Sequence, residues 1–104
     1  MTLDEKKALL ALYRIQLVKI ERLHQMLFKN PDRRDTYKSA IHRAERLRNS
    51  IEDAVERVDG GILSEILFQK YLCGKSLAEI AEQLCYSKRQ LERLHIKALE
   101  QIDL

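Results

Sequence analysis

The sequence has few residues that interrupt helices, with three glycines and one proline among 104 residues. It also contains no tryptophan and few aromatic residues of any kind. A sheet protein needs more turn residues and more β-branched segments than this chain offers. We therefore expect an all-α protein. A chain of this length forms one domain, or one domain with a helical extension, whose modest core favours stabilisation by helix pairing or oligomerisation.

The sequence has no long apolar run and no paired cysteines. No segment approaches the ~20 apolar residues that a membrane span requires. The charged residues 4–7 interrupt the only apolar stretch near the N-terminus, so no signal peptide is expected. Cys73 and Cys85 are the only cysteines and form no CxxC pair. We expect a cytoplasmic protein with reduced thiols and no contact with a membrane.

Arrangements typical of catalysis or metal binding are missing too. There is no Ser/His/Asp or Cys/His pattern and no Gly-rich phosphate loop, so we expect no enzyme activity and no small-molecule substrate. Zinc ligands usually come in close pairs, whereas Cys73, Cys85 and His95 are far apart along the chain. No cofactor is expected. His24 is expected to be a packing histidine, and His42 to face water.

The charges are segregated along the chain, although the net charge is only +3. Residues 29–48 carry seven Lys or Arg against three Asp or Glu, which gives +4. Residues 49–66 carry five acids against one Arg, which gives −4. The basic block could contact phosphate groups or could simply form a solvated helix face, and the sequence leaves both interpretations open.

Residues 1–59 have the pattern of two long helices. Thr2 and Glu5 fit a capping box before a heptad repeat of Leu3, Leu10, Leu17 and His24, whose alternate positions are Tyr13, Ile20 and Leu27. Asn30-Pro31-Asp32 breaks the pattern. Steps of three and four residues then run from Tyr37 to Val58, and Asp59-Gly60-Gly61 provides the stop. We predict an antiparallel helical hairpin, which serves either dimerisation or support of the C-terminal residues.

Residues 60–104 have the pattern of three shorter helices. Ile62 to Leu72 is predicted as one helix, and Gly74 can provide a left-handed stop. Ser76 is a fitting N-cap for Leu77 to Leu84, with Glu79 completing a second capping box, and Ser87 caps a last helix that runs to about Ile102. A short helix, a three- to four-residue turn and a longer helix form the layout of a helix-turn-helix, with the small Ala81 where the two helices cross.

The last helix has an apolar side and a polar side. Leu94, Ala98 and Ile102 fall within about 60° of Leu91 at 100° per residue, and these four residues should face inward. Arg89, Arg93, Ile96 and Glu100 fall on the opposite side. Arg pairs with guanine and Gln with adenine, while Lys and Ser suit phosphate. The candidate residues for contact with double-stranded DNA are therefore Lys75, Ser76, Ser87, Lys88, Arg89, Gln90, Glu92, Arg93 and Lys97.

Two strings in this region, KSLAEIAEQL (residues 75–84) and YSKRQLERLHIKAL (residues 86–99), carry a family resemblance. The chain resembles region 4 of the sigma-70 family over roughly residues 62–102, and more closely the small sigma-like regulators of bacteriophages and prophages, of the ArpU/RinA kind. The resemblance implies binding in the major groove of DNA, with Lys88, Arg89, Glu92 and Arg93 at the positions that contact bases or phosphates. It also implies a role in phage or prophage transcription.

The sequence departs from that family at two points. Cys85 occupies a turn position that is often Gly, so a non-glycine residue is expected in the left-handed conformation. Arg89 and Glu92 differ from a promoter-reading sigma helix, so no promoter preference is carried over. We predict a homodimeric, sequence-specific transcription regulator. An adaptor that holds RNA polymerase or a sigma factor without reading DNA is the alternative, and a phage DNA-packaging subunit is disfavoured because its DNA-binding unit would come first.

Overall fold

The computed structural model describes residues 1–104 as an all-helical chain without strands. The five α-helices are α1 (Leu3–Lys29), α2 (Arg34–Glu56), α3 (Gly61–Leu67), α4 (Leu77–Leu84) and α5 (Lys88–Gln101). A 3₁₀ turn at Pro31–Arg33 joins α1 to α2, and a π-helical turn at Phe68–Leu72 prolongs α3. The expected fold class and number of helices are confirmed. None of these helices combines the length and the apolar character that a membrane crossing requires.

The first helix begins at the predicted capping box. The Thr2 hydroxyl accepts from the Glu5 N–H at 3.1 Å, and the Glu5 carboxylate accepts from the Thr2 N–H at 3.1 Å. The hydrogen bond from the Thr2 N–H, with a smaller contribution from the Thr2 side chain, favours the charged carboxylate and lowers the pKa of Glu5. The helix ends at Lys29, where the Asn30 N–H donates to the Met26 carbonyl before the 3₁₀ turn.

The two long helices pack against each other and run in opposite directions. Near the end away from the 3₁₀ turn, the Tyr13 hydroxyl donates to the Glu52 carboxylate at 2.6 Å. Burial, together with this carboxylate, raises the pKa of Tyr13 to about 12. The main core lies at this end and joins both long helices to the C-terminal ones. It contains, among others, Leu10, Ile51, Val55, Leu63, Leu67 and Leu99.

The heptad seam of α1 is buried only in its first half. Leu10, Tyr13 and Gln16 are the buried residues of α1, whereas Leu17 is 38% exposed and His24 lies in solvent. The expectation that His24 packs inside the protein is therefore wrong. The side-chain hydrogen bonds from α1 to the C-terminal elements come from Lys6 and Arg14, both in its first half, so the second half lacks this support.

The second long helix ends earlier than its periodicity suggests. It stops at Glu56, and Val58 is buried in the turn that follows. Gly60 has φ +76°, a conformation that glycine adopts without a Cβ clash, and it precedes the first residue of α3. The residues predicted to end the second helix, 59–61, thus form the turn that leads into α3 and, at Gly61, its first residue.

The predicted helix at residues 62–72 is an α-helix followed by a π-helical turn. Its apolar residues were expected to face inward; Leu63, Ile66, Leu67 and Tyr71 are buried, and Ile62 is half-buried. The Cys73 N–H donates to the Phe68 carbonyl at 3.0 Å, five residues back, which adds one residue to the turn. Gly74 provides the predicted left-handed stop with φ +79°, and a Cβ at this position would lie 2.9 Å from the Arg14 guanidinium.

Candidate nucleic-acid interface

The connection between α4 and α5 is a three-residue turn, Cys85–Ser87. The Tyr86 N–H donates to the Ala81 carbonyl at 2.9 Å, and the Cys85 N–H donates to the Glu82 carbonyl at 3.3 Å. This is the hydrogen-bond pattern of a Schellman motif, which satisfies the last free carbonyls of α4. Cys85 has φ 60° and ψ 35°, so the expected left-handed residue is confirmed.

The N-cap of α4 is present but its capping box is incomplete. The Ser76 hydroxyl accepts from the Glu79 N–H at 3.1 Å, as predicted. The Glu79 carboxylate accepts from the Ser76 hydroxyl at 3.1 Å instead of reaching the Ser76 backbone. The second capping box predicted here is therefore wrong in its return bond, because the Glu79 carboxylate binds the Ser76 hydroxyl instead of the Ser76 N–H. Ser76 remains engaged at the helix start.

The start of α5 has the full capping box that α4 lacks. The Ser87 hydroxyl accepts from the Gln90 N–H at 3.1 Å, and the Gln90 amide oxygen accepts from the Ser87 N–H at 3.0 Å. The S-x-x-Q spacing would have predicted this bond. Because a bidentate contact of Gln with adenine uses both the amide oxygen and the amide nitrogen, that contact would compete with the capping box for the Gln90 oxygen.

The inner side of α5 is anchored as its periodicity predicts. Leu91 is fully buried with Ile66, Ile80 and Ala81 in a small core between α3, α4 and α5. Ala98 and Ile102 belong to the main core, and Leu94 packs against both cores. The position of Ala81 in this small core agrees with the predicted close crossing of α4 and α5. The orientation of α5 is thereby fixed.

A buried polar pair that no local sequence pattern indicates also anchors α5. His95 is 5% exposed, and its Nε2 lies 2.9 Å from the Tyr71 hydroxyl of the π-helical turn. Burial, with smaller contributions from the charges of Lys70 and Lys7, lowers the pKa of His95 to about 4. Burial likewise raises the pKa of Tyr71 to about 12. The imidazole is thus neutral at pH 7 and acts as an internal hydrogen-bond partner.

The outer face of α5 is open to solvent. This face consists of Lys88, Arg89, Gln90, Glu92, Arg93, Ile96 and Lys97, all of which are exposed. The only salt bridge in the chain joins Arg48 to Glu45 at 4.0 Å. The four cations of the outer face therefore have no carboxylate partner within salt-bridge distance, and they carry their charge into solvent.

Side chains from other elements border the outer face. Lys7 from α1 and Lys70 from the π-helical turn share one groove with Leu77, Glu92 and Ile96. On the other side, Tyr86 and Leu94 share a groove with Gln90 and Arg93. Lys7 and Lys70 were not among the predicted residues, since only the tertiary fold brings them beside α5. Lys75 was predicted, but it is half-buried and its ammonium donates to the Gln83 amide oxygen at 2.9 Å.

The remaining candidate ligands lie apart. Cys73 and Cys85 are free and exposed, whereas His95 is buried. No three His, Cys, Asp or Glu side chains lie close enough together to hold a metal ion. His42 faces solvent, as expected.

Comparisons of the chain with protein-family models, with curated proteins and with solved structures find no match.

Proposed function

We propose that this protein is a sequence-specific, double-stranded DNA-binding transcription regulator of phage or prophage type. It consists of an N-terminal helical hairpin (residues 1–59) and a three-helix, sigma-70 region 4-like helix-turn-helix unit (residues 60–104). Its α5 enters the major groove and α4 supports it. The protein acts in the cytoplasm as a homodimer, without enzyme activity or cofactor.

The observation that carries this proposal is the open, unpaired cationic outer face of α5. Four Lys or Arg side chains and one Glu are exposed between residues 88 and 97, on a helix whose opposite side is fully packed. An α-helix fits the major groove of B-DNA, which is about 12 Å wide. Because the two cores hold the inner side of α5 in place, its arginine side chains extend from the opposite side of the helix. A fixed orientation of this kind is what contact with specific bases requires.

The position of each outer-face residue along α5 indicates whether it contacts a base or a phosphate. Arg89 and Arg93 are one turn apart near the N-terminal end, the part of a recognition helix that meets base edges. A guanidinium can donate two hydrogen bonds to guanine, and the Glu92 carboxylate can accept from cytosine. Lys88, Lys97 and Ser87 meet phosphates, with Lys75 and Ser76 at the start of α4 as further phosphate contacts. Gln90 contributes its free amide N–H groups while its oxygen caps the helix.

Exposed apolar side chains on α1 support the homodimer. Ile15 and Val18 are 56% and 67% exposed, and Phe28 is 90% exposed. In the hairpin α2 leaves these side chains of α1 uncovered, whereas four helices can form a closed bundle. The same hairpin of a second copy provides the missing helices. A two-fold dimer then reads two half-sites about 34 Å apart, one turn of DNA.

Substitution of one base-reading arginine and one phosphate-binding lysine tests the proposal. Arg89→Ala should weaken binding to the selected sequence by about 1–3 kcal/mol and reduce discrimination against random duplex. Lys97→Ala should weaken binding to both duplexes by the same factor, because a phosphate contact carries no sequence information. Both affinities can be measured by gel shift after selection of a preferred sequence. An equal loss on both duplexes in Arg89→Ala would contradict the base assignment.

A second candidate function, an adaptor for RNA polymerase or a sigma factor, draws on two observations. Ile96 is 44% exposed in the middle of the outer face, where a protein partner could cover it. Residues 70–104 carry six basic and five acidic side chains, a near-neutral balance. A salt titration separates the two functions, since phosphate contacts make affinity for a duplex fall steeply as salt rises. An adaptor would show no duplex binding to titrate.

A further inference from the structure

The first half of α2 presents a second cationic surface that the proposed function does not use. Five exposed polar side chains line one shallow groove, with no hydrophobic residue among them: Lys38, Ser39, His42, Arg43 and Arg46. Their spacing places them on one side of the helix, and we call this set the α2 basic face. The opposite side of the same segment packs against α1 through Tyr37, Ile41 and Ala44, which are buried.

The charges of the α2 basic face have no partner inside the protein. The nearby Glu45 pairs with Arg48 at 4.0 Å and leaves Arg43 and Arg46 without a carboxylate within that distance. Lys38 has none either. Like charges three and four residues apart destabilise a helix rather than support it. The cations of the α2 basic face therefore gain no stabilisation from ion pairs inside the protein, and they are available to an external anion.

The composition of this face favours a nucleic-acid backbone over a protein. Protein interfaces have an apolar centre, whereas interfaces with DNA are more polar and far more positive. Lys38 to Arg46 spans roughly 12 Å along the helix axis at 1.5 Å per residue. One DNA strand offers a phosphate every 3.4 Å or so of axis. The three Lys and Arg side chains of the face are therefore spaced closely enough to contact neighbouring phosphates of one strand.

We propose that the α2 basic face binds the phosphate backbone of double-stranded DNA, as a site separate from the outer face of α5. The inference rests on the proposed function for the identity of the polyanion. The face supplies affinity and salt dependence but no sequence discrimination, because it contacts phosphates alone. It extends the footprint of each protomer onto DNA that α5 does not read.

Charge-neutralising pairs in the full-length chain test this site. Arg43→Gln/Arg46→Gln removes two cations of the α2 basic face. Lys19→Gln/Arg22→Gln removes two exposed cations of α1, lowers the net charge equally and serves as the matched control. Arg89→Gln/Arg93→Gln removes the proposed base readers. Fluorescence anisotropy measures binding to two 40-base-pair duplexes, one of random sequence and one that carries the selected sequence, over a range of salt concentrations. Circular dichroism verifies that each variant is folded. Light scattering verifies that each variant keeps the oligomeric state of the wild type, because Lys19 and Arg22 border the groove that Ile15 and Val18 line.

The α2 pair should lower the slope of log affinity against log salt by about 2, because each phosphate that is no longer neutralised lowers it by roughly 1. The α1 control should leave that slope within experimental error of the wild type. An equal effect of the α2 and α1 pairs would mean that net charge alone matters and would overturn the inference. The proposed function would survive that result if the α5 pair still abolished sequence preference.

Two further outcomes separate the inference from the proposed function. A lower salt slope in the α2 pair, with no effect of the α5 pair on either duplex, would support the α2 site and refute the assignment of α5. Poly-glutamate serves as a probe for an acidic protein partner. If the α2 pair lowered affinity for poly-glutamate while duplex binding stayed at the wild-type level, the face would be a protein site and the inference would be wrong.

Discussion

The two ends of this 53 Å long molecule are held together to very different degrees. We call residues 17–46 the arm, and the remaining residues, 1–16 and 47–104, the body. The arm buries only Tyr37, Ile41 and Ala44, all from α2. The body contains both hydrophobic cores and every fully buried large side chain, including Leu10, Ile66 and Leu91.

The buried cores that stabilise the protein are therefore concentrated in the body, whereas the arm consists mostly of exposed side chains. The body fixes α5 in one orientation, so that its outer face presents a constant arrangement of charges. The arm has little core to protect and instead exposes apolar side chains on α1 and unpaired cations on α2. Substitutions at buried positions of the body should therefore act mainly through stability, whereas substitutions on the outer face of α5 and in the arm should act through association with DNA or with a second copy.

The largest contrast is expected between two leucines. Leu91→Ala removes a fully buried side chain from the small core and should destabilise the protein by about 2–5 kcal/mol. Leu17→Ala removes a side chain that is 38% exposed in the arm and should cost less than about 1 kcal/mol in the monomer. Urea unfolding at low protein concentration measures both. Similar losses for the two substitutions would contradict the division between body and arm.

The buried histidine of the body should give the next largest effect. Burial holds the pKa of His95 at about 4, below its ordinary value of 6.5. As the pH falls below 6.5, this histidine takes up a proton in the unfolded chain, whereas in the folded protein it stays neutral until the pH approaches 4. The contribution of neutral His95 to the free energy of unfolding is therefore fully present above pH 6.5 and is lost between pH 6.5 and pH 4. The loss should be of order 2–3 kcal/mol.

Two variants isolate that effect in unfolding measurements between pH 7 and pH 4. His95→Phe should be less stable at pH 7, because it leaves the Tyr71 hydroxyl without its partner, but its stability should fall less with decreasing pH than that of the wild type. His24→Gln, at an exposed position of the arm, should follow the wild-type profile. Parallel pH profiles for His95→Phe and the wild type would refute the role of His95.

Local signals in the sequence predicted helix starts well. Thr2, Ser76 and Ser87 all accept from the N–H three residues later, because an N-cap depends only on neighbouring residues. The apolar spacing of α5 likewise identified its inner and outer sides. The fold class and the exposure of most candidate site residues followed from these short-range rules.

Contacts between residues far apart in the sequence could not be predicted from these short-range rules. Nothing near His95 in the sequence indicates that it meets Tyr71, because that contact depends on the π-helical turn and on the way α3 packs against α5. Lys7 reaches the border of the outer face from the other end of the chain. The heptad repeat of α1 continues to His24. The repeat alone does not show which of its positions other helices cover, so it could not predict that His24 is exposed.

The smallest effect concerns the strained turn before α5. Cys85→Gly should stabilise the body by up to about 1 kcal/mol, because glycine adopts the left-handed conformation without the Cβ clash. Cys73→Gly is the matched control, since Cys73 is also exposed but has φ −95°, and the substitution should be neutral or destabilising. Thermal unfolding compares the two. A loss of stability in Cys85→Gly would show that the cysteine side chain has a structural role.

The most direct measurement for the central claim is a titration of the ¹⁵N-labelled protein with duplex DNA, followed by amide chemical shifts. We expect the largest changes at residues 87–97, smaller ones at the start of α4, and little change at the buried inner positions of α5. The claim would be contradicted if residues 87–97 kept their shifts at duplex concentrations that saturate binding.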